Sequence, residues 1–140
     1  MIAVDTNVLL RRLLDDDAAQ SARARRLFDT EPEILITDVV LAEAVWTLEG
    51  RRYKASAAHV AEVVAALLAE PNVVFEDVAA VWSALEDFTV TNAVGATAVD
   101  FADALIVSKA KATAKRRQAP YRGTYTFDDA ALALDGMKAP

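Results

Sequence analysis

The sequence predicts an α/β domain whose central, mostly parallel sheet has four or five strands. Two observations carry the prediction. Short apolar runs, too brief for helices, recur along the chain at Ile2–Val4, Ile34–Ile36, Val73–Phe75 and Thr124–Phe127. Between them lie longer segments with apolar residues at helical spacing, and strand–helix alternation of this kind builds a layered parallel sheet. The length, 140 residues with 54% hydrophobic and 26% charged, fits one domain over residues 1–140 with a real core.

The elements follow in order. Ile2–Val4 reads as a buried strand ending at Asp5. Val8–Leu14 carries apolar residues at 8, 9, 10, 13 and 14 and suits a short helix, which Asp15-Asp16-Asp17 breaks; the same acids can cap the next one. Ala18, Ala22, Leu27 and Phe28 give that helix its face, and Pro32 stops it. After the strand Ile34–Ile36, Thr37 or Asp38 can cap a helix to about Glu49, with Gly50 at its C-terminal end. Ser56–Ala69 is strongly helical and is closed by Pro71, before the strand Val73–Phe75. Val78–Phe88 is expected to be helical with Val78, Val81, Trp82 and Leu85 on one face. Gly95 marks a loop, and Asp100 to about Lys115 is helical. Thr124–Phe127 is the fourth strand, Asp129–Leu134 a short helix, and Met137–Ala139 a fifth, edge strand.

Composition removes much chemistry. There is no cysteine, so thiol nucleophiles, thiolate zinc sites and disulfides are excluded, and His59, the one histidine, reads as a surface helix residue. The four glycines (Gly50, Gly95, Gly123, Gly136) are too scattered to cradle a phosphate. The longest apolar run, Val63–Ala69, has seven residues, against the ~20 of a membrane span. The first residues carry no basic-then-apolar signal, so the expectation is a cytoplasmic protein with no membrane partner. Carboxylates remain: 21 acids against 15 bases, a net charge of -6.

Three of these acids have apolar neighbours: Asp5 after Ile2-Ala3-Val4, Glu43 within Val39–Trp46, and Asp103 within Phe101–Val107. A carboxylate buried in such a setting needs a partner. Asp128 directly follows the fourth strand. Each has a bland reading. Asp5, Asp128 and Asp129 could be turn or cap residues, and Asp100 and Asp103, at i and i+3, resemble a capping box. Glu43 could form a buried salt bridge to a distant arginine. The joint pattern weighs more, because acids that follow strands stand at the carboxyl edge of a parallel sheet, where such sheets place their sites. Several acids on one edge repel one another unless a cation shares the site, and an all-oxygen donor set selects Mg²⁺ or Mn²⁺.

Four segments, in order, now carry a resemblance: Ile-Ala-Val-Asp5-Thr6-Asn7, Glu43 in Thr-Asp-Val-Val-Leu-Ala-Glu, Asp103 in Asp-Phe-Ala-Asp-Ala-Leu-Ile-Val, and Thr126-Phe-Asp128. They resemble the signatures of PIN-domain ribonucleases, with the VapC toxins of type II toxin–antitoxin pairs the nearest group, over residues 2 to 135. The resemblance implies a three-layer α/β/α fold and a Mg²⁺- or Mn²⁺-dependent endoribonuclease. It makes Asp5, Glu43, Asp103 and Asp128 the acidic quartet, joined by the more variable Asp100. Asp5 and Asp103 are expected to touch the metal directly, and Glu43 and Asp128 directly or through water. Thr6 and Asn7 match positions that orient the first aspartate, and Thr126 serves Asp128 similarly. The segment Thr91–Thr97 and the basic insertion Lys109–Arg122 follow no family pattern and are the candidates for setting RNA choice.

The expected chemistry is in-line attack by water activated at the metal, leaving a 5′-phosphate and a 3′-hydroxyl. For an acidic protein to bind RNA, local positive charge must offset the total. Lys109, Lys111, Lys115, Arg116, Arg117 and Arg122 form a run of bases with no acid between them, and Arg51, Arg52 and Lys54 form a second cluster. Tyr53, Trp46 and Trp82 could stack bases, although both tryptophans are expected to pack in the core. The resemblance further implies a homodimer and a cognate antitoxin, whose arginine could enter the acidic pocket. The apolar helices within 8–28 and 38–69 are candidate interfaces. Competing readings are an aspartyl-phosphate enzyme of the haloacid-dehalogenase or receiver kind, a catalytically inactive PIN-like binding module, and a DNA-cleaving relative. A dehalogenase-like phosphatase wants a second aspartate where Asn7 stands, and a receiver wants an acidic pair that the first strand lacks.

Overall fold

The computed structural model describes residues 1–95 and 98–140. In chain order the elements are β1 (Ile2–Ala3), α1 (Thr6–Leu14), α2 (Ala18–Thr30), β2 (Ile34–Ile36), α3 (Asp38–Glu49), α4 (Ala57–Ala69), β3 (Val73–Phe75), α5 (Val78–Val94), α6 (Phe101–Arg116), β4 (Thr124–Tyr125), a single 3₁₀ turn (Ala131–Ala133) and β5 (Met137–Lys138). The expected α/β class with a parallel sheet holds. No helix among the described residues is long and apolar enough to cross a membrane.

The main sheet has the order β1-β2-β3 and is parallel throughout, with Ile2 opposite Ile34 and Ile34 opposite Val73. All three strands therefore end at one edge. The four- or five-stranded sheet is corrected: β4 and β5 form a separate parallel pair. Thr124 N–H donates to Gly136 O and Thr126 N–H to Lys138 O, so β4 directs its amides to β5. The turn before β5 requires Gly136, at φ 101°, because a Cβ there would meet the Tyr121 ring and hydroxyl at 3.1–3.2 Å.

Helix starts follow the polar side chains. Asp5, Asp17, Thr37, Ser56 and Asp77 each accept a hydrogen bond from a backbone N–H of the first turn. The aspartate triplet ends α1 with Asp15 in the left-handed region (φ 52°) and opens α2 with Asp17. Ile34, Ile36, Leu9, Leu41, Val60, Val64 and Val81 are fully buried, and Phe88 meets Phe101 edge-on at 5.7 Å.

Two expectations about the core fail. Trp46 is 73% exposed and Trp82 52%, whereas the sequence predicts both inside. Helices α3 and α5 are apolar nearly all round, so periodicity could not orient them. Leu41, Ala44, Val45 and Leu48 form the buried face of α3, which turns Val39 and Trp46 outward. On α5, Val81, Ala84, Leu85 and Phe88 are buried and Val78 and Trp82 are not. Helix α5 also runs past Phe88 to Val94 before Gly95 ends it.

Candidate active site

Because the strands are parallel and in register, the residues after β1, β2 and β3 gather along one edge. Asp5 follows β1 and, as the N-cap of α1, accepts a hydrogen bond from Val8 N–H on Oδ1 at 2.8 Å. At the same edge, Asp38 N–H, after β2, donates to Glu76, after β3, at 2.7 Å. Thr6 donates its hydroxyl to Glu43 Oε2 at 2.6 Å, which fixes the middle of α3 against the start of α1. Thr6 thus serves Glu43, whereas the resemblance has it orient Asp5. The backbone of Val8 holds Asp5 instead, and Asn7 lies exposed beside it.

The second half of the site comes from α6. Lys109 on α6 pairs with Asp38 at the start of α3 at 2.6 Å, and Asp100 at the start of α6 acts electrostatically on Glu49 at the end of α3. These two contacts run α6 against α3 in the opposite direction, which brings the first turn of α6 alongside the second half of α3. The chain before α6 is clamped by Asn92, whose amide donates to Phe88 O and Val99 O and accepts from Val99 N–H at 2.9 Å. Asp100 follows this clamp. It occupies the N-cap position of α6 yet makes no capping hydrogen bond, so the capping-box reading does not describe it. Asp128 lies in the turn after β4, where its N–H donates to Thr126 Oγ1 at 3.0 Å and its Oδ1 accepts from Ala130 N–H at 2.9 Å. Thr126 thus bonds the backbone N–H of Asp128 and not its carboxylate.

Electrostatics connects these acids. Half-burial of Asp103 pushes its carboxyl above the usual aspartate range, and the negative charges of Asp100 and Asp128 push it further. Glu49 is pushed up to about 7 by its own half-burial, with Asp100 adding to the effect. Glu49 is the acid that sequence reasoning passed over. Its place before Gly50 reads only as a helix end, and no local signal puts it opposite Asp100. Glu43 is exposed despite its apolar neighbours, and a salt bridge does not explain it. Among the described residues, none of Asp5, Glu43, Asp100, Asp103 and Asp128 pairs with a lysine, arginine or histidine.

Asp5 and Glu43 are therefore linked through adjoining residues, and Asp103, Asp100 and Asp128 by mutual repulsion. Also among the described residues, no three acids stand close enough together to hold one ion as they are. Asp5 and Asp128 each commit one oxygen to a backbone N–H, which sets them at the rims of their turns with the other oxygen free. The donors fit a hard divalent cation: all are carboxylate oxygens, and no basic side chain occupies them.

The basic run is placed differently. Lys109 pairs with Asp38, Lys111 with Asp135 at 2.9 Å and Arg116 with Asp77 at 2.6 Å. Lys115, Arg117 and Arg122 make no ion pair among the described residues. In the second cluster Arg52 lies over the Tyr53 ring at 5.1 Å, and Tyr53 donates its hydroxyl to Asp16. His59 is on the surface of α4, near Glu62. Of the segment Thr91–Thr97, Ala96 and Thr97 lie outside the described residues.

Asp5 at the carboxyl edge of the parallel sheet, with carboxylates on α3, α6 and the turn after β4 that have no basic partner among the described residues, gives this α/β protein its acidic mouth. The PIN domain family matches residues 2–118, and the chain belongs to it. PIN domains are in general nucleases that act on nucleic acid and use divalent metals. The match ends before Asp128, so that residue's place in the site rests on its electrostatic contact with Asp103. No curated protein matches the chain.

Proposed function

We infer that the protein is a metal-dependent endoribonuclease and the toxin of a toxin–antitoxin pair of the VapC type. One observation carries the nuclease reading. Acids drawn from β1's end, α3, α6 and the turn after β4 have no basic side-chain partner among the described residues, in a chain of the PIN family. Evolved interiors rarely leave a half-buried carboxylate facing two others, and such arrangements concentrate at functional sites.

Asp5, Glu43, Asp103 and Asp128, with Asp100 beside them, would hold Mg²⁺ or Mn²⁺. The bound ion would supply a water of lowered pKa and neutralise charge building on the phosphate. The chain's own work is positioning. Thr6 fixes one Glu43 oxygen, Val8 N–H fixes one Asp5 oxygen, and Ala130 N–H fixes one of Asp128, so each carboxylate presents its remaining oxygen in a set direction. No histidine or cysteine base is needed, and the products expected are a 5′-phosphate and a 3′-hydroxyl.

The same reading includes a single nuclease domain over residues 1–140, a cytoplasmic setting, a homodimer and a cognate antitoxin. The outward Val39 and Trp46 on α3, and Val78, Trp82, Val90 and Val94 on α5, offer apolar surface for such partners. The test is cleavage of defined RNA and DNA strands with Mg²⁺, Mn²⁺ or EDTA, by the wild type and by Asp5→Ala. RNA should be cut only with metal, and Asp5→Ala should lose more than the ~10–100-fold that removal of an outer partner costs. A 2′,3′-cyclic phosphate product would refute water as the nucleophile, and equal activity in EDTA would refute the metal.

A further inference from the structure

A cleft of about 460 Å³ opens between α1 and α2 directly beside Asp5. Its volume lies inside the ~300–1,000 Å³ range of small-ligand sites. Asp5 and Asn7 form the end nearest the acids. Val8, Ala24 and Leu27 supply apolar wall, and Arg11 and Arg23 bring positive charge. The two arginines differ. Arg11 is held from both sides, by Gln20 Oε1 on Nε at 3.0 Å and by Asp16 on Nη1. Arg23 is exposed and makes no ion pair or side-chain hydrogen bond among the described residues. A cleft with an apolar wall, a fixed guanidinium and a free one, continuous with the acid that would bind metal, has the complementary parts of a nucleotide: a flat base, polar edges and a phosphate.

We propose that this α1–α2 cleft is a nucleotide subsite, which takes the residue of the RNA strand next to the scissile phosphate. The base lies against Val8, Ala24 and Leu27, and Arg23 pairs with that nucleotide's phosphate. The proposal rests on the ribonuclease reading and adds to it the place where the strand is gripped. It also accounts for how an acidic protein holds RNA when three bases of the run on α6 are engaged by its own acids. Free guanidinium beside the acidic mouth is the local charge that the total of -6 conceals.

The test measures the binding of a short fluorescein-labelled oligoribonucleotide by anisotropy across a salt series. Asp103→Asn serves as the background so that the strand stays whole, and cleavage by the otherwise wild-type chain is followed in parallel. Arg23→Glu should weaken binding about tenfold and reduce the salt slope by about 0.7, the share of one single-strand phosphate contact. Arg26→Glu makes the same charge change on α2 outside the cleft and should alter affinity less than about twofold. Both arginines are exposed, so neither substitution threatens the fold. The subsite is refuted if Arg23→Glu binds as the background does, or if Arg26→Glu weakens binding equally, while the wild type still cuts RNA. If the wild type neither cuts RNA nor binds it, the ribonuclease reading itself fails and takes the subsite with it.

Discussion

The acidic mouth and the basic run of α6 are both conspicuous in the sequence, yet the fold treats them in opposite ways. Half of the six bases are neutralised within the chain: Lys109 by Asp38, Lys111 by Asp135 and Arg116 by Asp77. The acids Asp5, Glu43, Asp100, Asp103 and Asp128 have no such partners among the described residues. A charged residue is informative about function when the structure could have paired it and did not. Counting charges along the chain does not make that distinction, since a paired lysine and a free one look alike in a sequence.

The sharpest way to break the contrast is to neutralise Asp103, the carboxylate that burial and two neighbouring acids act on together. Asp103→Asn should abolish metal-dependent RNA cleavage, by more than ~100-fold in kcat/KM. With metal absent, the same change should raise the melting temperature at pH 7, because burial and the neighbouring Asp100 and Asp128 both disfavour the charged form of Asp103. Mg²⁺ should raise the wild-type melting temperature and leave the variant's nearly unmoved. A structural role alone would predict the reverse: full activity, or a variant that melts lower. Thermal scans with and without Mg²⁺, beside the cleavage assay, separate the two.

A second comparison lies inside the basic run. Lys109→Met should destabilise the fold by about 1–3 kcal/mol, because it strands the Asp38 carboxylate, whose Oδ1 is already buried without a hydrogen-bond partner. Lys115→Ala with Arg117→Ala should leave stability within about 0.5 kcal/mol, as exposed sites do. Urea denaturation gives both values. Equal losses in the two proteins would remove the distinction between structural and free bases on α6.

How much of this was legible in the sequence depends on the range of the information. The strand–helix alternation, the helix starts at Asp17, Thr37 and Ser56, and the break at the aspartate triplet are local, and the expected elements match the observed ones closely. The four acids could be picked out because each stands in a short pattern. What failed is what needs a third dimension. Trp46 and Trp82 lie outside against expectation because a helix apolar on nearly every side has no readable inside. The resemblance pairs Thr6 with its sequence neighbour Asp5, whereas its hydroxyl reaches Glu43, 37 residues away. The fourth and fifth strands were added to the main sheet because periodicity identifies strands and not their partners.

Glu49 tests whether the repulsion within the site extends beyond the acids of the motifs. Its folded carboxyl is held up to about 7 by half-burial and by Asp100, against 4.5 as its ordinary value. Between those two pH values the folded chain binds more protons at Glu49 than the unfolded chain does. Stability from this group is therefore present below pH 4.5 and lost as pH rises to about 7, with nothing further lost above it. Glu49→Gln removes the charge and keeps the shape. Relative to wild type it should gain stability at pH 8, on the order of 1 kcal/mol once solvent screening of a half-exposed group is allowed for. The gain should shrink towards zero near pH 4.5, where the wild-type carboxyl is protonated in the fold. Placing Asp100→Asn in the same background should reduce the gain, because the two acids share one repulsion and their effects cannot add. Urea midpoints for the four proteins at pH 5 and pH 8 complete that cycle. A pH-independent difference would mean that Glu49 is solvated like any surface acid and that the strain of the mouth stops at Asp100.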